Sequence, residues 1–228
     1  MKRLCLLLIL PLIFTNIACE TEEDNKIAQA QACLDNAIPS TASNCTTFIT
    51  GLTSTDSYAI RCAADFIAGG LTSARIISAV GQMQDKSGGT DPALTLMGIV
   101  AFGSSAAATQ AYDDCSKSGS SSFLFFASAA QMGTMIGSAN GGSVISTIAA
   151  GGTPSQAQID AALADAISNP NPTNNAVIGN VVTNLASTEC VNPSDAQKKV
   201  CDAVNAAIAS NPGNAAAIGA ALLAQLQN

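Results

Sequence analysis

The sequence predicts an all-α fold, either a disulfide-stapled helical bundle or a short stack of helical hairpins. Three observations predict it. Apolar residues recur with the helical period through most of the chain, while alternating β-branched runs are scarce. Aromatic residues make up only 4% of the 228 residues and tryptophan is absent, so small aliphatic side chains must fill the interior. Such side chains let helices approach closely but bury little area each, at ~25 cal/mol per Å², so the core must be extensive or covalently helped. That help is at hand in six cysteines beyond the first twenty residues, an even number.

Taken in order, TSTDSYAIRCAADFIAGG offers Ser54 or Thr55 as an N-cap and Gly69-Gly70 as a stop. Ala59, Cys62, Ala63, Phe66 and Ile67 fall on one stripe of that helix, and Arg61 and Asp65 stand four apart, in position to pair on another face. Further helices are expected at TSARIISAVGQMQ, DPALTLMGIVAFG, AATQAYDDCSK and FLFFASAAQMGTMIG. The last of these belongs to an uncharged stretch of 42 residues, Ser118 to Ile159, in which Gly133 and Gly137 are spaced as in close-packed helices. Gln131, Asn140 and Gly141-Gly142 interrupt it, so a buried central helix or a partner-binding face fits better than a membrane span of ~20 apolar residues.

Within residues 155–228 the sequence echoes itself. AQIDAALADAISNP precedes TNNAVIGNVV, and QKKVCDAVNAAIASNP precedes GNAAAIGAAL. Each copy is an amphipathic helix, a Ser-Asn-Pro stop and a helix carrying Ile-Gly, at a period of roughly 40 residues, which suits stacked helix pairs. Similar helices drawn from an Ala- and Asn-rich composition would look the same. Proline disfavours helix in the residue before it, so Ser168-Asn169-Pro170 and Ser210-Asn211-Pro212 mark helix ends.

The chain opens MKRLCLLLILPLIF: two cations, then an apolar run of export-signal length that is too short to span a bilayer. Ala18 then precedes Cys19, and ETEEDNK follows. This start resembles the signal of bacterial lipoproteins, although Asn16 stands where that pattern carries a large aliphatic residue. The resemblance covers only the start of the chain. It implies cleavage before Cys19, acylation of that thiol, and a cell-envelope location with the outer membrane favoured over the inner. The chain then divides into a signal peptide at 1–18, an acidic solvated tether at 19–26 and a single all-helical domain at 27–228.

In that oxidising setting three disulfides are expected among Cys33, Cys45, Cys62, Cys115, Cys190 and Cys201. Cys33 and Cys45 flank a helical hairpin centred on Ile38-Pro39-Ser40. Cys190 and Cys201 would require the intervening loop to fold back on the next helix, and Cys62 and Cys115 remain for each other. Reduced buried thiols are the alternative. A metal is not expected, since there is no histidine and no C-x-x-C pair.

Composition narrows function mainly by exclusion. Without the leader, seven cations face sixteen acids, a net charge of −9, and no basic residue occurs between Lys117 and Lys198. Nucleic-acid affinity rests largely on basic contacts with phosphate, so no nucleic-acid partner is expected. The commonest general base is missing, and neither a G-x-S-x-G elbow nor a P-loop occurs. Asp113-Asp114 point about 100° apart on a helix and Asp160 and Asp165 share one, so both pairs read as solvated faces. No cofactor is implied. The expected role is therefore non-enzymatic: a membrane-anchored lipoprotein with an interaction or envelope-structural role, partnered by the membrane, with an envelope or surface protein as the further candidate partner. The alternative is a carrier holding a lipid or other small hydrophobic ligand in an apolar cavity around residues 94–102 and 123–137.

Overall fold

The computed structural model describes residues 21–72, Arg75, 97–188, 190–193 and 195–226. Cys19 lies outside them, as do residues 73–84 of the helix expected from Thr72, Arg75 apart. The described residues are all-α, without a strand: α1 (Glu22–Leu34), α2 (Ala42–Cys45), α3 (Thr55–Ala68), α4 (Ser105–Lys117), α5 (Ser121–Gly137), α6 (Ser143–Ala149), α7 (Gln156–Ser168), α8 (Pro172–Thr188), α9 (Asp195–Ser210) and α10 (Ala215–Leu226), with single 3-10 turns at Thr46–Ile49 and Asn140–Gly142. No helix among them is long and apolar enough to cross a membrane.

Local chemistry sets most of the boundaries. Hydroxyls of Ser54, Ser104 and Ser120 accept from the backbone three residues on. Thr21 with Asp24 and Ser155 with Gln158 form reciprocal capping boxes. The Asn171 Oδ1 accepts from Thr173 and Asn174 ahead of Pro172, and the Asn214 Oδ1 accepts from Ala217. Each such cap contributes ~1 kcal/mol by meeting orphan N–H groups. The helices end at Ser168 and Ser210, at the two Ser-Asn-Pro marks.

The acidic segment is not a tether along its whole length. Glu22, Glu23 and Asp24 form the first turn of α1, and Lys26 pairs with Glu22 at 2.7 Å. Carboxylates there complement the positive end of the helix dipole, so part of the expected tether starts a helix.

Two apolar clusters share α3. Ala30, Leu34, Ala42, Cys45 and Ile49 pack on its Ile60 and Ala64, whereas Cys62 and Phe66 face the main core. The buried surface of α3 is therefore wider than the single expected stripe, and Ile60 and Ala64 are buried more deeply than Ala59 and Ala63. Arg61 does not pair with Asp65. Its Nη2 donates to the carbonyls of Ile49 (3.1 Å) and Leu52 (2.7 Å), and its guanidinium lies over the Tyr58 ring at 4.8 Å. The carbonyls of the 3-10 turn and the loop after it, that of Ile49 also accepting from the Leu52 N–H, hold the guanidinium away from the carboxylate.

At the centre of the main core runs α5, in which every residue from Ala127 to Gly137 is buried. It packs against α4, α6, α7 and α8. Thr134 ties it to the preceding chain, donating to the Ala130 carbonyl at 2.7 Å and accepting from the Phe102 N–H at 2.8 Å. A Cβ on Gly133 would overlap the Met97 carbonyl, and one on Gly98 would overlap Ile159. Of the two glycines whose spacing suggested close packing, Gly133 thus permits backbone contact, while Gly137 makes room for the Val144 side chain.

The repeated halves meet in a reciprocal way. A Cβ on Gly179 of α8 would collide with the backbone of Ala215 in α10, and a Cβ on Gly219 of α10 with the backbone of Asn175 in α8. Each glycine opposes the residue four places before its counterpart. The two Ile-Gly helices therefore cross about a local two-fold axis. They pack mainly on each other and do not stack as successive hairpins.

Candidate functional site

The six cysteines of the folded body come together in the three expected pairs. Cys33–Cys45 joins the end of α1 to α2 with a Cα–Cα distance of 5.5 Å. Cys62–Cys115 joins α3 to α4 at 4.8 Å, and Cys190–Cys201 joins the loop after α8 to α9 at 5.3 Å. The last pair needs the loop to turn back, and the Cys190 N–H does so by donating to the Leu185 carbonyl at 3.1 Å. No group of three or more His, Cys, Asp or Glu side chains that could hold a metal occurs among the described residues.

Beside the Cys62–Cys115 bridge lies a pair of carboxyl groups. Asp65 stands one turn after Cys62, and Asp114 immediately precedes Cys115. Asp114 is 6% exposed, whereas Asp113 points to solvent. The expectation of a solvated face thus fails at Asp114, because rotation of α4 to form the disulfide turns the next side chain inward as well. The Gln110 Nε2 donates to the Asp114 Oδ2 at 2.8 Å. The Asp65 Oδ2 is buried and has no donor facing it among the described residues. Burial, with the Asp114 carboxylate and a hydrogen bond to it, pushes the Asp65 carboxyl up from 3.8 to about 7. A carboxyl group so placed holds its proton to higher pH than an exposed aspartate does.

This pair makes folding depend on pH. Below the ordinary Asp value both folded and unfolded chains carry the proton, and no stability is lost. Between 3.8 and about 7 the unfolded chain releases it while the folded chain holds it, so stability falls as pH rises through that window. Asp65→Asn should therefore stabilise the protein at about pH 8 by roughly 1–2 kcal/mol, after discounting for solvent near a part-exposed group. Near pH 4 it should do little. Urea unfolding at both values measures the difference, and an equal effect at both would exclude a raised Asp65 carboxyl.

The pair does not assemble a nucleophile. Ser116 and Ser118 donate their hydroxyls to the carbonyls of Asp113 and Cys115, not to either carboxyl group. Among the described residues of the apolar region expected to hold a greasy ligand, one small apolar space is lined by both of its segments. Between Gly98, Gly133, Gly137 and Ile159 the free space is about 10 Å³, against the ~300–1,000 Å³ of small-molecule sites. Residues 94–96 lie outside the described set.

Room of that order exists elsewhere. A cleft of about 490 Å³ opens where the ends of α5 and α7 meet the start of α8. Its polar lining includes Ser138, Asp165, Asn169, Asn171, Asn174 and Asn175, and Met135, Ile178 and Leu223 supply apolar floor. Several of these groups brace one another. The Asn174 Nδ2 donates to Ser138 Oγ at 2.8 Å, and the Asn169 Nδ2 donates to Asp165 Oδ1 at 2.7 Å. Asp165, expected with Asp160 on a wet face, borders this cleft, while Asp160 is exposed.

No family model, no curated protein and no solved structure matches the chain.

Sequence reasoning brought the cysteines together but missed both polar sites. The carboxyl pair had one visible signal, since Asp65 and Asp114 each stand within three residues of a cysteine, and a Cys62–Cys115 bond draws them together. The cleft had a weaker one in the asparagine cluster 169–175, which reads equally well as a turn.

Proposed function

We propose that the protein is an exported lipoprotein, held to the cell envelope by fatty chains on Cys19 and acting there in a non-enzymatic interaction or structural role. The observation that carries the reading is the pairing of all six body cysteines by a chain whose leader resembles a lipoprotein signal. Three structural disulfides belong to oxidising compartments and are rare in the cytosol. α1 starts at Glu22, three residues after Cys19, so an anchor at Cys19 would hold the start of that helix close to the membrane. Each buried methylene contributes ~0.8 kcal/mol and a single chain holds only marginally, so stable attachment requires more than one. The net negative body is not attracted to an anionic surface, and the acyl chains alone would retain it.

Cys19→Ala should move the protein from the membrane to the soluble fraction. The intact mass of native protein should correspond to a chain starting at an acylated Cys19. A mass that retains Met1, or an unmodified first residue, would overturn the reading.

A further inference from the structure

We infer that the end of the bundle formed by the start of α5 docks on a net-neutral lipid surface, with Phe126 as its outermost ring. Phenylalanine is distributed against burial in this chain. Of the six in the described residues only Phe66 and Phe102 are buried, while Phe48, Phe123, Phe125 and Phe126 are half-buried or exposed. A ring left in water forfeits a large apolar gain, which an alanine-built core can ill spare. Three of these four stand within one run, Phe123-Leu124-Phe125-Phe126, in the first two turns of α5. Successive side chains on a helix turn by about 100°, so the run surrounds the axis. Packing Phe123 and Phe125 partly against the core leaves Phe126 outside, 43% exposed, with the Phe125 ring edge-on at 6.2 Å. From Ala127 to Gly137 the same helix is buried on every side, so its start emerges from the body.

Neighbouring elements end at the same place. α4 turns into α5 at Gly119, which faces Thr55 at the start of α3, and the Lys117 Nζ lies over the Tyr58 ring at 5.3 Å. α8 runs antiparallel to α5: Asn174 near its start donates to Ser138 just past α5, and Asn184 near its end donates to Tyr112 of α4. The turn after α8 therefore carries Val191, 65% exposed, toward the end where Phe126 stands. Chemistry selects the partner. No charge occurs from Ser118 to Ile159, so nothing in the Phe-rich run resists leaving water. Rings around a helix suit a fluid acyl layer, which closes about them, whereas a rigid protein face meets one side. The exposed hydroxyls of Ser121 and Ser122 match lipid ester and phosphate oxygens. Lys117 makes no ion pair among the described residues and can reach a phosphate along its apolar stem. Exposed Asp56 and Asp113 on neighbouring turns offset it, and the chain without its leader carries −9. Zwitterionic lipid therefore fits and anionic lipid does not. This docking rests on the anchored reading, in which acyl chains retain the protein and keep the body near lipid; the rings then orient it.

The chain has no tryptophan, so a single substitution reports its own position. Full-length protein is reconstituted with phosphatidylcholine vesicles brominated along the acyl chains, and its emission is compared with that in unbrominated vesicles. Interfacial segments enter roughly 5–10 Å into the acyl boundary, so Phe126→Trp should shift to the blue and lose about half of its emission or more. Val191→Trp should be quenched too, and adding Phe126→Asp should restore its emission. Thr173→Trp, exposed at the opposite end of α8, should keep its emission. All these positions are exposed, so the substitutions leave the core intact. Phosphatidylglycerol vesicles should quench Phe126→Trp less. The docking is overturned if Phe126→Trp is unquenched, if Thr173→Trp is quenched as strongly, if Phe126→Asp leaves Val191→Trp quenched, or if phosphatidylglycerol is preferred. Self-association without lipid that Phe126→Asp abolishes, read by sedimentation, would also overturn it and assign the patch to a second copy. Intact mass of the same samples reads Cys19 separately. Quenching with an unmodified Cys19 removes the anchor and keeps the docking, and an acylated Cys19 without quenching does the reverse.

Discussion

Gly179→Ala is expected to destabilise the protein by about 3 kcal/mol, although alanine favours an isolated helix over glycine by ~1 kcal/mol. The two effects have opposite signs, and contact geometry decides between them. The new methyl group would stand inside the van der Waals radius of the Ala215 carbonyl, a backbone atom that no rotamer change can move. The helices must then separate, and Ile178, Val182, Leu222 and Leu223, all buried beside the crossing, lose contact together. Gly219→Ala should cost a similar amount through Asn175. Both changes force the same separation, so the double variant should cost clearly less than the sum of the two. Chemical denaturation of the three variants measures this. A stabilised Gly179→Ala protein, or strict additivity, would show that α8 and α10 do not meet at these glycines.

Loss of the Cys62–Cys115 bridge is the second large effect. It closes 53 residues, against 12 and 11 for the other two. Loop-closure entropy then gives about 4 kcal/mol for this bond and about 3 for each of the others. Replacing both cysteines with alanine should cost most at this pair, and should also release the constraint that holds Asp65 against Asp114. At about pH 8 the added Asp65→Asn change should restore part of the loss, and near pH 4 it should restore almost none. Comparing unfolding of the three double-cysteine variants ranks the bonds. Equal costs would remove the entropic account, and rescue by Asp65→Asn near pH 4 would remove the electrostatic one.

How much could be read beforehand depended on range. Ser54, Ser155 and the two Ser-Asn-Pro stops act on atoms within about a turn of themselves, so they were legible from residue order. The disulfide partners were legible from neighbourhood in the chain: Cys33 and Cys45 flank an expected hairpin, Cys190 and Cys201 flank one loop that has to fold back, and Cys62 and Cys115 are what remains. The pairing of Arg61 was not, since Ile49 and Leu52 lie on a separate element and offer carbonyls whose availability depends on a 3-10 turn. The burial of Asp114 was missed for a related reason. A helix such as SAAATQAYDDCSK has small residues on several faces, and its periodicity does not decide which one turns inward.

By itself the sequence determined that this chain is helical, where most of its helices begin and end, and that its interior is built from small residues and cross-links. These follow from capping, proline and glycine geometry and composition, all local properties. Only the tertiary structure decided that Gly179 and Gly219 face each other's helices, that Asp65 meets Asp114, and that Asn175 lines a cleft. Each of those facts depends on how far one helix is rotated against another. In an alanine-rich helix many rotations bury similar area, so the choice falls to the few places where backbones touch or a disulfide closes.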